Sequence, residues 1–139
     1  MRKRFVGLLF GLFATNICAQ SIGPSAEPTQ INGGIGYPTV QAALEALKAK
    51  PGVKLREQQG WIIVADKESE FVSATWSFTP EGNPAHPAAV KRTLYEKNGQ
   101  IMMETNVLCQ AKKDPCDALV RDFEVLSNRI REELNRRAK

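Results

Sequence analysis

Histidine is the scarcest residue type in this 139-residue chain, and His86 is the only one. A lone histidine cannot build a multi-histidine metal site. No G-x-S-x-G motif surrounds any serine, so the usual hydrolase nucleophile elbow is absent. We therefore expect a protein that is not an enzyme and needs no cofactor. The alternative is a small hydrolase in which His86 acts as a general base toward a nearby hydroxyl or carboxylate.

Cysteine is rare as well, at Cys18, Cys109 and Cys116. There is no C-x-x-C motif and no second pair of ligands, which argues against a thiol oxidoreductase and a zinc site. Cys18 lies in a segment that we expect to be removed. The remaining pair, Cys109 and Cys116, is predicted to form one disulfide between the end of a strand and the start of a helix.

No apolar run approaches the ~20 residues that cross a bilayer as a helix. The run Phe5–Ala14 is shorter, follows the basic start Arg2–Arg4 and precedes Ile17–Ala19. This order predicts a signal peptide over residues 1–19, cleaved near Ala19, and no stable membrane insertion afterwards. The alternative is a lipoprotein acylated at Cys18, for which the preceding residues are a poor match.

Most of the net positive charge of the chain comes from that same segment. The whole chain carries +4, and cleavage would remove Arg2, Lys3 and Arg4 but no acidic residue, which leaves +1. Nucleic-acid binding needs basic residues clustered on one surface. We therefore expect no nucleic-acid partner. The predicted signal peptide, in turn, indicates a protein located in the periplasm or outside the cell.

Carboxylates at Asp66, Glu68 and Glu70 alternate along the chain and could in principle bind a cation. The glycine and the terminal glutamate of an EF-hand loop are missing. We interpret the three residues as a solvated turn between two strands and predict no metal site.

The remaining chain divides into a flexible leader, 20–36, rich in Ser, Pro and Gly, and a single domain, 37–139. Apolar residues at helical spacing predict a first helix over about 39–50, which Pro38 and Thr39 begin. Four strands follow, and Asn98-Gly99 is a strong signal for a two-residue hairpin turn. The predicted strands are Trp61–Ala65, Phe71–Phe78, Ala88–Lys97 and Gln100–Gln110.

A long helix closes the chain, with Asp114 predicted as its N-cap and Pro115 at its first position. The element order is α-β-β-β-β-α. It predicts an α+β fold in which the N-terminal and the long C-terminal helix pack on one face of a four-stranded antiparallel sheet.

The loop 79–87 contains three prolines in nine residues, which limits its freedom and lowers the entropy lost on ordering it. It reads equally as a stiff connector and as a rigid contact surface for another protein. On the second interpretation Glu81, Asn83 and His86 are candidate binding residues. Tyr95, on the outer face of the following strand, is the fourth.

Two runs, YPTVQAALEALKAKPGV followed by QQGWIIVAD, and AHPAAVKRTLYEKNG, span much of the predicted domain. On these runs the chain resembles small uncharacterised secreted or periplasmic proteins of Gram-negative bacteria. The resemblance implies export and transfers no catalytic residue.

These observations lead to a functional hypothesis. We expect an exported, non-enzymatic protein that binds another envelope or secreted protein, in an inhibitor, immunity-type or envelope-assembly role. The alternative from a different class is a domain that binds a small ligand or a cell-wall fragment in a pocket between sheet and helices.

Overall fold

The computed structural model describes residues 29–31 and 34–139. The predicted signal peptide with its cleavage near Ala19, the lipidation alternative at Cys18 and most of the predicted leader lie outside the described residues. The elements in chain order are β1 (Thr29–Ile31), α1 (Val40–Ala49), β2 (Lys54–Gln58), β3 (Trp61–Lys67), β4 (Val72–Phe78), β5 (Ala88–Lys97), β6 (Gln100–Cys109) and α2 (Lys113–Arg137).

The strands form one antiparallel sheet in the order β1-β6-β5-β4-β3-β2. The consecutive strands β2 to β6 make a five-stranded meander where four strands were predicted. The short β1, which lies within the segment predicted to be a leader, pairs with the free edge of β6. The additional strand β2 has five exposed residues. The sequence of β2 therefore lacks the alternation of apolar and polar residues that predicts a strand. This segment is a strand because its backbone pairs with β3.

Two hairpin turns have the same left-handed backbone. Asn98 and Gly99 have φ values of 53° and 71°, which confirms the predicted hairpin between β5 and β6. Gln59 and Gly60, between β2 and β3, have φ values of 51° and 79°. Both central residues of such a turn need positive φ, and glutamine is an unusual residue there, so this turn carried no clear sequence signal.

The two helices lie on opposite faces of the sheet, so the prediction that both cover one face is wrong. Directly paired residues share a face, as Val64 and Trp76 do. Both belong to the cluster that contains the buried residues of α1. On the other face Thr105 hydrogen-bonds Ser127 of α2 over 2.8 Å. The physical reason is that apolar residues cover both faces of the central strands, and each face needs its own cover.

The first core lies between α1 and the sheet. Thr39 caps α1, since its side chain accepts a hydrogen bond from the Ala42 N–H over 3.1 Å. Val40, Ala43 and Leu47 are the buried residues of this helix, which confirms the predicted apolar face. They pack against Trp76, which is only 2% exposed.

The second core lies between α2 and the opposite face. Cys109 at the end of β6 and Cys116 in the first turns of α2 form the predicted disulfide, with a Cα–Cα distance of 5.8 Å. Further along the helix Phe123 contacts Trp61, with 5.8 Å between ring centroids. The disulfide thus fixes one end of α2, and side-chain packing continues along it.

The start of α2 differs from the prediction. Lys112 is the N-cap and makes no side-chain cap hydrogen bond, and the helix begins at Lys113. Asp114 is therefore inside the first turn, where a negative charge is favourable at the positive end of the helix dipole. Pro115 also remains in the first turn, where its missing N–H leaves no intrahelical hydrogen bond unmade. Asp114 and Pro115 therefore predicted the region in which α2 begins but not its first residue.

Candidate functional site

The loop 79–87 connects β4 to β5 and its backbone is held by its own hydrogen bonds. The Thr79 N–H donates to Ala88 O over 3.0 Å and closes the loop at its base. Within it, the Asn83 N–H donates to Pro80 O and the His86 N–H donates to Asn83 O, each over 2.9 Å. The loop is therefore an ordered structure and not a slack connection.

Asn83 is one of the four predicted binding residues, and the structure gives its side chain a role inside the loop. Its Oδ1 accepts a hydrogen bond from the Ala85 N–H over 2.8 Å. Ala85 is 2% exposed and belongs to the second core. Asn83 thus anchors the loop to the core, so its amide oxygen is already engaged.

A groove of about 610 Å³ lies beside this loop, and we call it the loop groove. The loop forms one wall, and the first turns of α1 and the turn between β2 and β3 form the others. The apolar residues that line it are Val40, Leu44, Ile62, Phe78, Pro80 and Pro87. Its polar members are Thr39, Gln41, Thr79, Glu81, His86 and Gln110.

Among the described residues that line the loop groove, Glu81 is the only one with a carboxylate, and none is a lysine or an arginine. Glu81 and His86 are both exposed, so each can reach a bound molecule. A negative charge beside an apolar surface favours a ligand that offers an apolar side chain next to a cation or a hydrogen-bond donor. The structure thus brings two of the four predicted residues into one site.

The hydrogen bonds of His86 assign its tautomer. Its Nδ1 lies 2.9 Å from Thr79 O. A carbonyl oxygen can only accept, so Nδ1 carries a proton, and in the neutral ring Nε2 is the unprotonated nitrogen. The Thr79 hydroxyl lies 3.3 Å from Nδ1 but accepts from the Ala88 N–H over 2.9 Å and donates to Ala88 O. His86 is therefore held in one orientation and can accept a hydrogen bond through Nε2.

Gln110, which was not predicted, joins the parts of the site. Its Oε1 accepts from the Val40 N–H, at the start of α1, over 2.8 Å. Its own N–H donates to Pro87 O over 2.9 Å. One residue after β6 thus ties α1 and the loop to the corner that the disulfide closes. No sequence signal identifies this role, because both partners are distant in the chain.

Tyr95 lies away from the loop groove. It pairs with Val72 and Met102 across the sheet, eight residues along β5 from Pro87. At the rise of an extended strand this separation is roughly 26 Å. Tyr95 lines a different groove, at the other end of the sheet, so it cannot act on the same ligand atom as His86.

Asp66, near the end of β3, and Glu68, just after β3, are each paired with a lysine, and the interpretation of a solvated turn is wrong for the buried Asp66. Asp66, which is 5% exposed, pairs with Lys50 over 2.7 Å, and this bond raises the pKa of Lys50. Glu68 pairs with Lys91 over 2.6 Å. Across residues 29–31 and 34–139 no three His, Cys, Asp or Glu residues are grouped so that they could hold a metal ion.

In the part of the chain that the structure describes, no helix has the length and apolar character needed to cross a membrane. No protein-family model matches the sequence. No curated protein and no solved structure matches it either.

Proposed function

We propose that the protein is an exported, non-enzymatic binding protein that contacts another envelope or secreted protein through the loop groove. Inhibitor, immunity-type and envelope-assembly roles all use such a contact. The observation that carries the proposal is that the backbone of the loop 79–87 is fixed by its own hydrogen bonds while Glu81 and His86 remain exposed beside an apolar groove.

This arrangement supports binding because little order is lost when a partner arrives. Ordering a mobile loop and its side chains opposes association, and a preorganised loop avoids that cost. The His86 ring is already oriented by Thr79 O. The apolar surface supplies the buried area, and Glu81 with Nε2 of His86 supplies specificity.

The geometry around His86 supports a role in binding over one in catalysis. Among the described residues, the hydroxyl within hydrogen-bond distance of its ring is that of Thr79, which is 6% exposed. This hydroxyl hydrogen-bonds both the N–H and the carbonyl of Ala88. A nucleophile must be accessible and must face the basic nitrogen of the histidine, whereas Thr79 lies on the Nδ1 side.

Export is supported by the disulfide between Cys109 and Cys116. Such bonds form and persist mainly in oxidising compartments such as the periplasm and the extracellular medium. The predicted signal peptide and the resemblance to small secreted bacterial proteins point to the same compartments.

The test is a crosslinked capture from cell-envelope extract with matched variants. Glu81→Gln keeps the shape of the side chain but removes its charge. His86→Asn keeps an N–H donor near the Nδ1 position but removes Nε2. Glu132→Gln, an exposed position on α2, is the control. The bait is the purified, disulfide-bonded protein.

We expect the wild-type protein and Glu132→Gln to capture the same protein, which free wild-type protein displaces. Each groove variant should bind it on the order of tenfold more weakly, as expected for residues at the centre of a contact. Melting temperatures should be similar for all four proteins. Equal capture by the groove variants and the control would refute the proposed contact surface.

A further inference from the structure

The two edges of the sheet are protected to different degrees. At one edge β1 pairs with residues 107–109 of β6. Further along β6 the Ile101 N–H donates to Oδ1 of Asn135, and the Ile101 carbonyl accepts from Nδ2 of the same side chain, each over 2.9 Å. At the other edge β2 pairs with β3 alone among residues 29–31 and 34–139. We call the unpaired side of Lys54–Gln58 the β2 edge.

The hairpin geometry identifies the backbone groups that β2 presents at this edge. The hairpin of β2 and β3 and that of β5 and β6 have the same left-handed backbone at their two-residue turns. Ile101, the second residue after the turn in β6, points its N–H and carbonyl away from the partner strand. By the same geometry Glu57, the second residue before the turn in β2, points outward, and so does Leu55, because the direction alternates along a strand. The β2 edge therefore offers two N–H groups and two carbonyls to an added strand.

The side chains of β2 give this edge a pattern of charges. Every residue of the strand is exposed, and Leu55 keeps 46% of its surface accessible. Leu55 pairs with Val64 of the first core, so Leu55 and Glu57 lie on the face of α1. Lys54 and Arg56 lie on the opposite face, and no described salt bridge includes either of them. The β2 edge thus presents two cations with an apolar side chain between them, followed by one carboxylate.

The same charges disfavour a second copy of the chain at the β2 edge. Two β2 strands related by a two-fold axis would pair antiparallel. An axis at Arg56 places this residue opposite its own copy, and an axis at Leu55 places Lys54 opposite Arg56. An axis at Glu57 places two carboxylates opposite each other. Each of these registers sets like charges directly across from one another, which destabilises the pairing.

We propose that the β2 edge binds an extended, acidic segment of a partner protein as an additional antiparallel strand. Two acidic residues of the segment lie opposite Arg56 and Lys54, and the apolar residue between them lies opposite Leu55. A basic residue precedes the first acidic one and lies opposite Glu57. Main-chain hydrogen bonds to Leu55 and Glu57 hold the segment, and the complementary charges select it. This contact is independent of the loop groove.

The probe is a synthetic peptide with blocked ends and the sequence Thr-Lys-Glu-Ile-Glu-Val, and its control, Thr-Glu-Lys-Ile-Lys-Val, has every charge reversed. Both are titrated into the purified, disulfide-bonded protein and followed by NMR and amide hydrogen exchange. We expect the probe to bind saturably, about fivefold more tightly than the control, and to slow exchange of the Leu55 and Glu57 N–H groups. Equal binding of the two peptides, or no saturable binding of the probe, would overturn the proposal. Slow exchange of both N–H groups in the free protein would do so too, because the edge would already be paired.

Methylation of peptide nitrogens distinguishes strand addition from a contact made by charges alone. The isoleucine of the probe lies opposite Leu55, so its N–H faces the β2 edge, whereas the N–H of the glutamate that follows it faces away. Methylation of the isoleucine nitrogen should therefore abolish binding, and methylation of that glutamate nitrogen should largely preserve it. Equal binding of the two methylated peptides would contradict pairing as a strand.

Charge variants of the protein locate the contact. Lys54→Gln/Arg56→Gln should weaken binding of the probe about fivefold without changing the melting temperature, because both side chains are exposed. The matched control, Lys48→Gln/Arg129→Gln, removes the same charge from exposed positions on the two helices and should bind as the wild type does.

Lys54→Glu/Arg56→Glu should reverse the preference, so that this variant binds the charge-reversed peptide more tightly than the probe. Wild-type preference in this variant would place the contact elsewhere. Analytical ultracentrifugation of the free wild type should show a monomer. A dimer that Lys54→Glu/Arg56→Glu disrupts would assign the β2 edge to a second copy and refute a partner segment.

Discussion

The side-chain oxygen of Gln110 accepts a hydrogen bond from the backbone N–H of Val40, 70 residues earlier in the chain, over 2.8 Å. Val40 is the first residue of α1, where the backbone N–H groups have no partner within the helix. A residue that follows β6 thus completes the cap of a helix on one face of the sheet, and its neighbour Cys109 holds the helix on the other face.

Replacing Gln110 by alanine should therefore destabilise the protein. The Val40 N–H loses its acceptor, which costs about 1 kcal/mol in the free energy of unfolding. Urea unfolding monitored by tryptophan fluorescence measures the change. Gln58→Ala, an exposed position on β2, is the control and should differ from the wild type by less than about 0.5 kcal/mol. Equal effects of the two substitutions would show that the cap contributes nothing.

The disulfide should stabilise the fold by restricting the unfolded chain. The closed segment from Cys109 to Cys116 is short, and loop-closure entropy predicts about 2–3 kcal/mol. The double variant Cys109→Ala/Cys116→Ala should lose about this amount in urea unfolding. Dithiothreitol should lower the stability of the wild type toward that of the variant. A reductant effect on the variant itself would indicate a cause other than this bond.

The sequence identified the elements whose signals are local. Asn98-Gly99 forms the predicted turn because only left-handed backbone closes a two-residue hairpin, and this dipeptide tolerates it. The first helix and the disulfide were predicted for similarly local reasons. Strand β2 was missed because all five of its residues are exposed, so its pairing leaves no apolar pattern to read.

The placement of the helices required information that the prediction did not use. Ala88, Ala89 and Val90 on β5 are all buried, as are Val107 and Leu108 on β6. A continuous apolar run in a strand indicates burial on both faces, and this signal could have placed the helices on opposite sides. The helix periodicity alone shows which side of a helix is apolar, not which face of a sheet it meets.

The candidate site was predictable in part. The proline-rich composition indicated a stiff loop, and Glu81 and His86 do line one groove with it. The contributions of Gln110 and Gly60 depend on contacts with residues far away in the chain, so no local pattern reveals them. Tyr95 was chosen for its chemistry, and the length of β5 separates it from the loop.

Because of the ion pair between Lys50 and Asp66, the free energy of unfolding should change with pH in the alkaline range. The hydrogen bond to Asp66 raises the pKa of Lys50 above its ordinary value of 10.5. Because folding raises this pKa, protonated Lys50 contributes its full stabilisation below pH 10.5. The contribution is lost as the pH rises through the raised pKa. Lys50→Met should therefore be less stable than the wild type near neutral pH, since it leaves the buried Asp66 without its partner.

The measurement is urea unfolding of the wild type and Lys50→Met across this range. The difference between them should narrow as the pH increases above 10.5. Lys48→Met, at an exposed position two residues away, is the control and should show a smaller difference. A gap between the wild type and Lys50→Met that stays constant through this range would contradict the assignment.

The tautomer of His86 can be tested directly. Its Nδ1 donates to Thr79 O, so the neutral ring should carry its proton on Nδ1 and not on Nε2, which is the opposite of the form favoured by free histidine side chains in water. Long-range ¹H–¹⁵N spectra at a pH where the ring is neutral distinguish the two nitrogens. A spectrum with the proton on Nε2 would remove the hydrogen bond that orients His86 in the proposed binding site.

Gly60 tests whether the turn between β2 and β3 helps to shape the loop groove. Its φ is 79°, and a Cβ at this position would lie 3.0 Å from Cβ of Pro80. Gly99 has a similar φ of 71°, but a Cβ there meets nothing within 4 Å. Alanine at either position incurs the left-handed backbone cost of about 1–2 kcal/mol. Only Gly60→Ala also places a Cβ so close to Pro80 that this proline must shift by a few tenths of an ångström.

Gly60→Ala should therefore lower the free energy of unfolding by about 1 kcal/mol more than Gly99→Ala does, which is the low end of the cost of overpacking. Urea unfolding of the two variants measures this difference. Because Pro80 is part of the groove surface, Gly60→Ala should also weaken capture of the partner protein, whereas Gly99→Ala should leave it unchanged. Equal stability and equal capture would mean that Pro80 moves aside freely, and the loop groove would then lack the rigidity on which its proposed role in binding depends.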